Sequence, residues 1–266
     1  MSDYAKISGN TASSSAGGVV GNVIIMSDNT EISGNTAASY LGGGVLVFSE
    51  ATMSGNAKIS GNTASSSAGG VFSYGTITMS GNAEIRDNTA GENGGGVNGT
   101  LTMSGSAVIR DNSATSGGGG YISGGTFTLN SNARISGNTA SGNGGGVYLY
   151  TGSYYNADSL FVMNGGTISS NKAGGNGGGV YVSDSGYDKV AFTLSGGTVY
   201  GSGDTTAGAN ANILTGGGYG AALYKTTNGI ATWGGGDANP IPLADDSARG
   251  TSKTLIGGTP SGTVRP

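Results

Sequence analysis

Apolar and polar positions recur along this chain in four fixed slots. The first slot holds Met26, Met53, Met79, Met103, Leu129, Met163 and Leu194, so five of the six methionines share one place in the repeat. The second holds Ile7, Ile32, Ile59, Ile85, Ile109, Ile135, Ile168 and Val199, spaced 25, 27, 26, 24, 26, 33 and 31 residues apart. The third is Asn10, Asn35, Asn62, Asn88, Asn112, Asn138 and Asn171. The fourth is Val19, Val45, Val71, Val97, Tyr121, Val147 and Val180, each preceded by at least two glycines. Self-similarity at this period indicates stacked repeats.

Within each period the apolar residues alternate. In Thr76-Ile77-Thr78-Met79 and Thr126-Phe127-Thr128-Leu129 they sit two apart, which buries one face of a strand and turns the threonines outward. Ala133-Arg134-Ile135 and Val147-Tyr148-Leu149 read the same way. Helical repeats are excluded by 57 glycines in 266 residues and by β-branched residues where Ala, Leu, Glu and Lys would be needed. Each period therefore predicts three short strands joined at Gly- and Asn-rich corners. One coil cannot bury its own apolar side, but coils stacked at about 4.8 Å bury it against one another. The expected fold is all-β: a parallel β-helix of about eight coils, right-handed because parallel crossovers almost always are. At that spacing the rod is on the order of 40 Å long.

The slots assign structural work to most repeated residues. Asn10, Asn35, Asn62, Asn88, Asn112, Asn138 and Asn171 are expected to turn inward at a corner, in left-handed backbone, and to bond their amides to the Asn above and below. The Gly pairs before Val are expected where a side chain would strike the neighbouring coil. No Lys-Ser or Lys-Thr follows them and no helix opens after them, so they are not phosphate loops. Tyr121 takes the Val slot of its coil, in a stretch from Gly117 whose register the pattern leaves open.

After about Gly201 the period fades, and all four prolines and Trp233 appear. Residues 1–200 read as β-helix, and 201–266 as a capping coil plus an extended tail. Met1-Ser2-Asp3-Tyr4-Ala5-Lys6 runs directly into the first repeat. Two expectations follow: an excerpt of a longer secreted protein, or an open coil covered by another copy in a head-to-tail filament.

Charge narrows the choice of partner. The net charge is −4, charged residues are 10%, and Lys and Arg do not cluster, so a nucleic-acid footprint is missing. No apolar run reaches the ~18 residues of a membrane span. Without Cys or His there are no thiol nucleophiles, no Ser-His-Asp triad and no zinc site of His or Cys ligands. The calcium-binding Gly-Gly-x-Gly-x-Asp repeat does not recur, and no cofactor is expected.

The pairing of Ile85-Arg86-Asp87-Asn88 with Gly94-Gly95-Gly96-Val97 resembles the GGAI and FxxN repeats of polymorphic outer membrane proteins, with Ile in place of Phe. It is still more similar to spirochaete and gut-bacterial surface proteins built from ISGNTA…GGGVYV coils. The resemblance covers roughly residues 5 to 200. It implies a right-handed β-helix of the pectin-lyase-like class, displayed at the cell surface or secreted, often as an adhesin or autotransporter passenger.

Three functional constellations remain. Asp87 and Asp111, beside Arg86 and Arg110 in successive coils, could place two carboxylates about 5 Å apart, as retaining glycosidases require, although each Arg can also neutralise an Asp. Thr76 and Thr78, Thr100 and Thr102, and Thr126 and Thr128 form a small outward array of the kind that orders water at an ice surface. The third constellation lies where the repeat lengthens. Insertions at 151–159 and 183–189 follow the Val slot of successive coils, and insertions in repeat proteins gather on the binding face. With Tyr148 and Tyr181 just before them, the expected patch is Tyr148, Tyr154, Tyr155, Asp158, Tyr181, Asp184, Tyr187 and Asp188, suited to a carbohydrate or protein of a host. The expectation is a non-catalytic adhesive or structural rod with self-assembly as the alternative; ice binding and polysaccharide cleavage rank lower.

Overall fold

In the computed structural model, residues 1–151, 157–184, 190–201, 211–216, 223–225, 230–233 and 262–264 are described, with Asp184, Lys225, 230–233 and 262–264 described by backbone alone. The strand Val71–Met79 shows how the sequence makes a coil. Val71, Ser73, Ile77 and Met79 are buried, while Phe72, Tyr74, Thr76 and Thr78 are half-buried or exposed. A three-residue strand follows, then a two-residue strand, and the chain returns to the starting face one level up.

All pairing between these strands is parallel. Val45–Met53 lies between Val19–Met26 and Val71–Met79. Lys58–Ser60 lies between Glu31–Ser33 and Glu84–Arg86. Thr63–Ala64 lies between Thr36–Ala37 and Thr89–Ala90. Parallel neighbours separated by a whole circuit define a β-helix, with the apolar slots stacked as one continuous core along the axis.

Three corners close each coil, and each holds one residue in left-handed backbone. In one coil these are Gly55, Gly61 and Ala68, with φ of 64°, 63° and 58°; in the next they are Gly81, Asp87 and Gly94. The ladder asparagines themselves do not adopt that backbone, contrary to the expectation from sequence. The residue before each of those seven does: Gly9, Gly34, Gly61, Asp87, Asp111, Gly137 and Ser170. The turn completed there leaves the Asn side chain aimed into the rod.

One further register assignment differs from the sequence reading. Gly120, rather than Tyr121, occupies the Val slot, since Val97 pairs with Gly120 and Gly120 with Val147. A Cβ at Gly120 would lie 3.2 Å from Cε1 of Phe127, so the larger ring of Phe127 fills the space that Val takes elsewhere. Phe127 begins a core column of three rings, 4.8 Å from Phe161, which is 5.1 Å from Phe192. Parallel pairing also continues at the far end. Ile213–Leu214 pairs with Lys172–Ala173, Leu223–Lys225 with Val180–Val182, and Ile230–Trp233 with Ala191–Leu194. Gly262–Val264 pairs with Gly197–Val199, so coil pairing extends into the segment read as cap and tail.

Candidate functional site

The inner corner is the most regular part of the molecule. Asn62 Oδ1 accepts from the backbone N–H and from Nδ2 of Asn35, at 2.9 and 3.0 Å. Asn62 Nδ2 donates to Ile32 O and to Asn88 Oδ1, both at 3.0 Å. The same four bonds recur at Asn88, Asn112 and Asn138. Asn10 heads the ladder, donating to Asn35 Oδ1, and Asn171 passes it to Asn212. Asn35 through Asn212 are at most 1% exposed, and a buried amide is tolerated at this cost only because its donors and acceptor are all engaged. Asn212, 41 residues beyond Asn171, is absent from the sequence reading; the glycine run after Asn212-Ile213-Leu214-Thr215 is the signal that would have found it.

Glycine makes the ladder possible. A Cβ at Gly70 would sit 2.4 Å from Gly96 O and 3.1 Å from Nδ2 of Asn88; at Gly96 it would sit 2.6 Å from Gly119 O. The Gly-Gly pairs are therefore spaces that neighbouring coils occupy.

Outside, the columns differ. One face carries alternating charge: Lys6 stands opposite Glu31, Glu31 opposite Lys58, and Lys58 opposite Glu84. Lys6 Nζ is 3.1 Å from Glu31 Oε2. The hydroxyl of Ser33 first, with burial opposing and Lys6 adding to it, holds the Glu31 carboxyl below the usual range. Higher on this face, Glu84 bridges two coils, 3.3 Å from Arg86 Nε and 2.5 Å from Arg110 Nε. Arg86 also binds Asp87, and Arg110 Nη1 lies 2.7 Å from Asp111 Oδ2. The two aspartates weighed as a catalytic pair thus each hold a neighbouring guanidinium, on left-handed corners where the other coils place Gly or Ser. Among the described residues no group of three or more acidic side chains is arranged to hold a metal ion.

A second face carries the threonines. Thr100 pairs with Thr76, and Thr102 with both Thr78 and Thr128, while Thr52 extends one column by a coil. Glu50 interrupts the other column and accepts a hydrogen bond from the Thr52 hydroxyl at 3.0 Å.

The third face is aromatic, and it contains the described part of the expected patch. The outward position after the Val slot runs Leu46, Phe72, Asn98, Tyr121, Tyr148, Tyr181 and Tyr224 in successive coils. Tyr121 and Tyr148 meet edge to face at 5.2 Å, and Tyr148 meets Tyr181 at 4.7 Å. Tyr181 stacks on Tyr224 at 5.3 Å with planes 1° apart. Two positions further on, Tyr150 stands 6.3 Å from Tyr148, and Tyr74 stacks on Phe48 at 5.7 Å. Burial pushes the Tyr148 phenol up.

This geometry redraws the expected patch. Tyr148 and Tyr181 stand in register as expected, yet Tyr181 is only 8% exposed, its ring lying between those of Tyr148 and Tyr224. Asp158 is exposed at the mouth of the first insertion, where its backbone oxygen accepts from Gly125 N–H at 2.7 Å. Asp184 pairs with Thr151 through its strand. Tyr154, Tyr155, Tyr187 and Asp188 lie outside the described residues. Sequence reasoning did not include Phe48, Phe72, Tyr74, Tyr121 and Tyr150 in the site. Their outward phase was readable by alternation, but their assembly into columns depends on the register between coils.

Parallel coils, a continuous apolar core and a buried amide ladder define a β-helix. The sequence model for the family described as "Right handed beta helix region" matches residues 24–237, and the chain belongs to that family. No curated protein and no solved structure matches it. No helix among the described residues is long and apolar enough to cross a membrane.

Proposed function

We propose that this chain is a non-catalytic structural and adhesive β-helix, displayed at the cell surface or secreted, of the kind built from polymorphic-outer-membrane-protein or spirochaete-type repeats. The observation that carries this reading is a division of labour. Inward and corner residues are consumed by stacking, each bonded to its counterpart one coil away, while one outward face gathers aromatic side chains beside two long insertions. Surface aromatics that serve no core are the side chains binding interfaces favour. The carboxylates at Asp87 and Asp111 support the non-catalytic part, because each is engaged by an arginine.

The test is adhesion. Beads coated with the purified chain should attach to epithelial cells or mucin above the level of beads coated with an unrelated β-rich protein, and Tyr148→Ser with Tyr150→Ser should lower attachment. Equal attachment by both bead types would remove the reading.

A further inference from the structure

The aromatic face is interrupted in the middle, and the interruption has a chemical character of its own. Phe48, Phe72 and Tyr74 cluster at one end, with Tyr74 63% and Phe48 46% exposed and Tyr74 also 5.0 Å from Phe72. Tyr121, Tyr148 and Tyr150 cluster at the other, within 5.2 to 6.5 Å of one another. Between them lies a single coil, Val97–Met103, two residues shorter at this face than Val71–Met79. It places Asn98 between Phe72 and Tyr121 in one column and puts Gly99 beside it, at φ 135°, where a side chain would strike Ser73 O at 2.5 Å. The result is a shallow notch floored by a half-buried amide and walled by rings on both sides.

We infer that this face is a track for one extended, neutral polysaccharide chain lying parallel to the rod axis. Three features of the face point to that ligand. The columns run straight along the axis, so their occupant must be extended, and successive coils present contacts about 4.8 Å apart, close to the length of one pyranose unit in an extended chain. Aromatic rings offer the apolar surface on which the C–H faces of a sugar stack, whereas the Asn98 amide offers both a donor and an acceptor to hydroxyls that pass over the notch. None of the six rings nor Asn98 has a basic residue beside it in sequence, and Glu50 lies two residues from Phe48, so the track favours an uncharged polymer over a polyanion.

The facing rings Phe72 and Tyr121 are two coils apart, about 10 Å at the usual strand spacing, and Tyr74 and Tyr150 three coils, about 14 Å, so a disaccharide at most spans the notch and a chain of about four sugars covers Tyr74 and Tyr150 together. Engaging the second cluster is then intramolecular, and affinity should rise steeply with length before it levels off. This assignment rests on the adhesive reading and names its ligand class.

The experiment uses the full chain with the β-1,4-linked glucose and xylose oligosaccharides from disaccharide to hexasaccharide, by calorimetry, and with hydroxyethylcellulose and xylan in affinity gels. The expected result is retardation by at least one polymer, with hexasaccharide binding about tenfold or more tighter than disaccharide. Tyr74→Ala and Tyr150→Ala should each flatten the length dependence, and Asn98→Leu should weaken binding at every length above the disaccharide. All three side chains point outward, so unchanged thermal unfolding identifies a binding defect. The assignment is overturned if no glycan is retained, if disaccharide and hexasaccharide bind alike, or if the Tyr74 and Tyr150 variants keep the length dependence. Bead adhesion without glycan retention would overturn this assignment alone and leave the adhesive reading standing.

Discussion

The Asn corner and the aromatic face are built from the same coils in the same register, yet one hardly changes along the rod and the other changes at every level from Leu46 to Tyr121 before Tyr repeats through Tyr224. At the corner, Asn35 to Asn171 bond identically from coil to coil. On the aromatic face the equivalent position passes from Leu46 through Phe72, Asn98 and Tyr121. The difference lies in what each side chain must satisfy. A buried amide needs four partners supplied at fixed places by neighbouring coils, whereas an outward ring needs only room and some apolar surface. Regularity therefore marks stacking, and variation marks the surface left free for something else.

The largest break in that contrast should come from Asn88→Leu. It leaves Asn62 N–H, Asn62 Nδ2, Ile59 O and Asn112 Oδ1 short of a partner inside the rod, and about 4 kcal/mol should be lost in urea unfolding. A loss below about 1 kcal/mol would mean the ladder contributes little beyond shape.

Glycine allows the comparison to be made with one residue type. Gly70→Ala meets backbone at 2.4 Å and should cost about 3 kcal/mol. Gly9→Ala has nothing within 4 Å of the new methyl and incurs only the left-handed backbone penalty, about 1 kcal/mol. Equal melting shifts for the two would show that backbone freedom, rather than close approach, dictates the glycines.

A sharper test addresses the one coil where the core departs from its neighbours. Gly120→Val should destabilise by about 1–2 kcal/mol because it crowds the Phe127 ring. Phe127→Leu in the same chain should recover about 1 kcal/mol of it, and strictly additive losses would refute the exchange of volume between these positions.

The smallest effect is expected from Lys58→Glu on the charged face. It sets three carboxylates in one column with Glu31 and Glu84, costs about 0.5 kcal/mol at low salt, and should fade as ionic strength rises.

Much of this was legible in the linear sequence because stacking repeats its demands. A slot that must hold Ile32, Ile59, Ile85 and Ile109 in contact prints a period, and the Asn and Gly corners print another. Three features escaped for physical reasons. Gly120 hides in a run of four glycines, since the deletion of one corner residue there shifts Tyr121 into the apparent slot. Asn212 lies 13 residues beyond Val199 where the usual step is three, so the spacing that reveals its relatives is lost. The exposed ladder of Asn29, Asn56 and Asn82, bonded at 3.1 and 3.2 Å, follows the Met slot but resembles ordinary turn residues. The candidate site was legible only in part. Tyr148 and Tyr181 were read from alternation, but the columns joining them to Phe72 and Tyr121 exist only once the coils are stacked.

The buried amides also give the molecule a direction. From Asn35 to Asn171 each Oδ1 accepts from the preceding coil and each Nδ2 donates to the Asn of the following one, so their dipoles point the same way along the rod. A coil can join this column in one orientation only, and once joined it presents to the next level the same bonding surface it received. Length is then a modular quantity: excising one whole period, such as the 26 residues that separate Ile59 from Ile85, would remove Asn62 and hand Asn35 a new partner, Asn88, chemically identical to the old one. A gene built from such units could lengthen or shorten its product by recombination between them, without having to invent a new core each time.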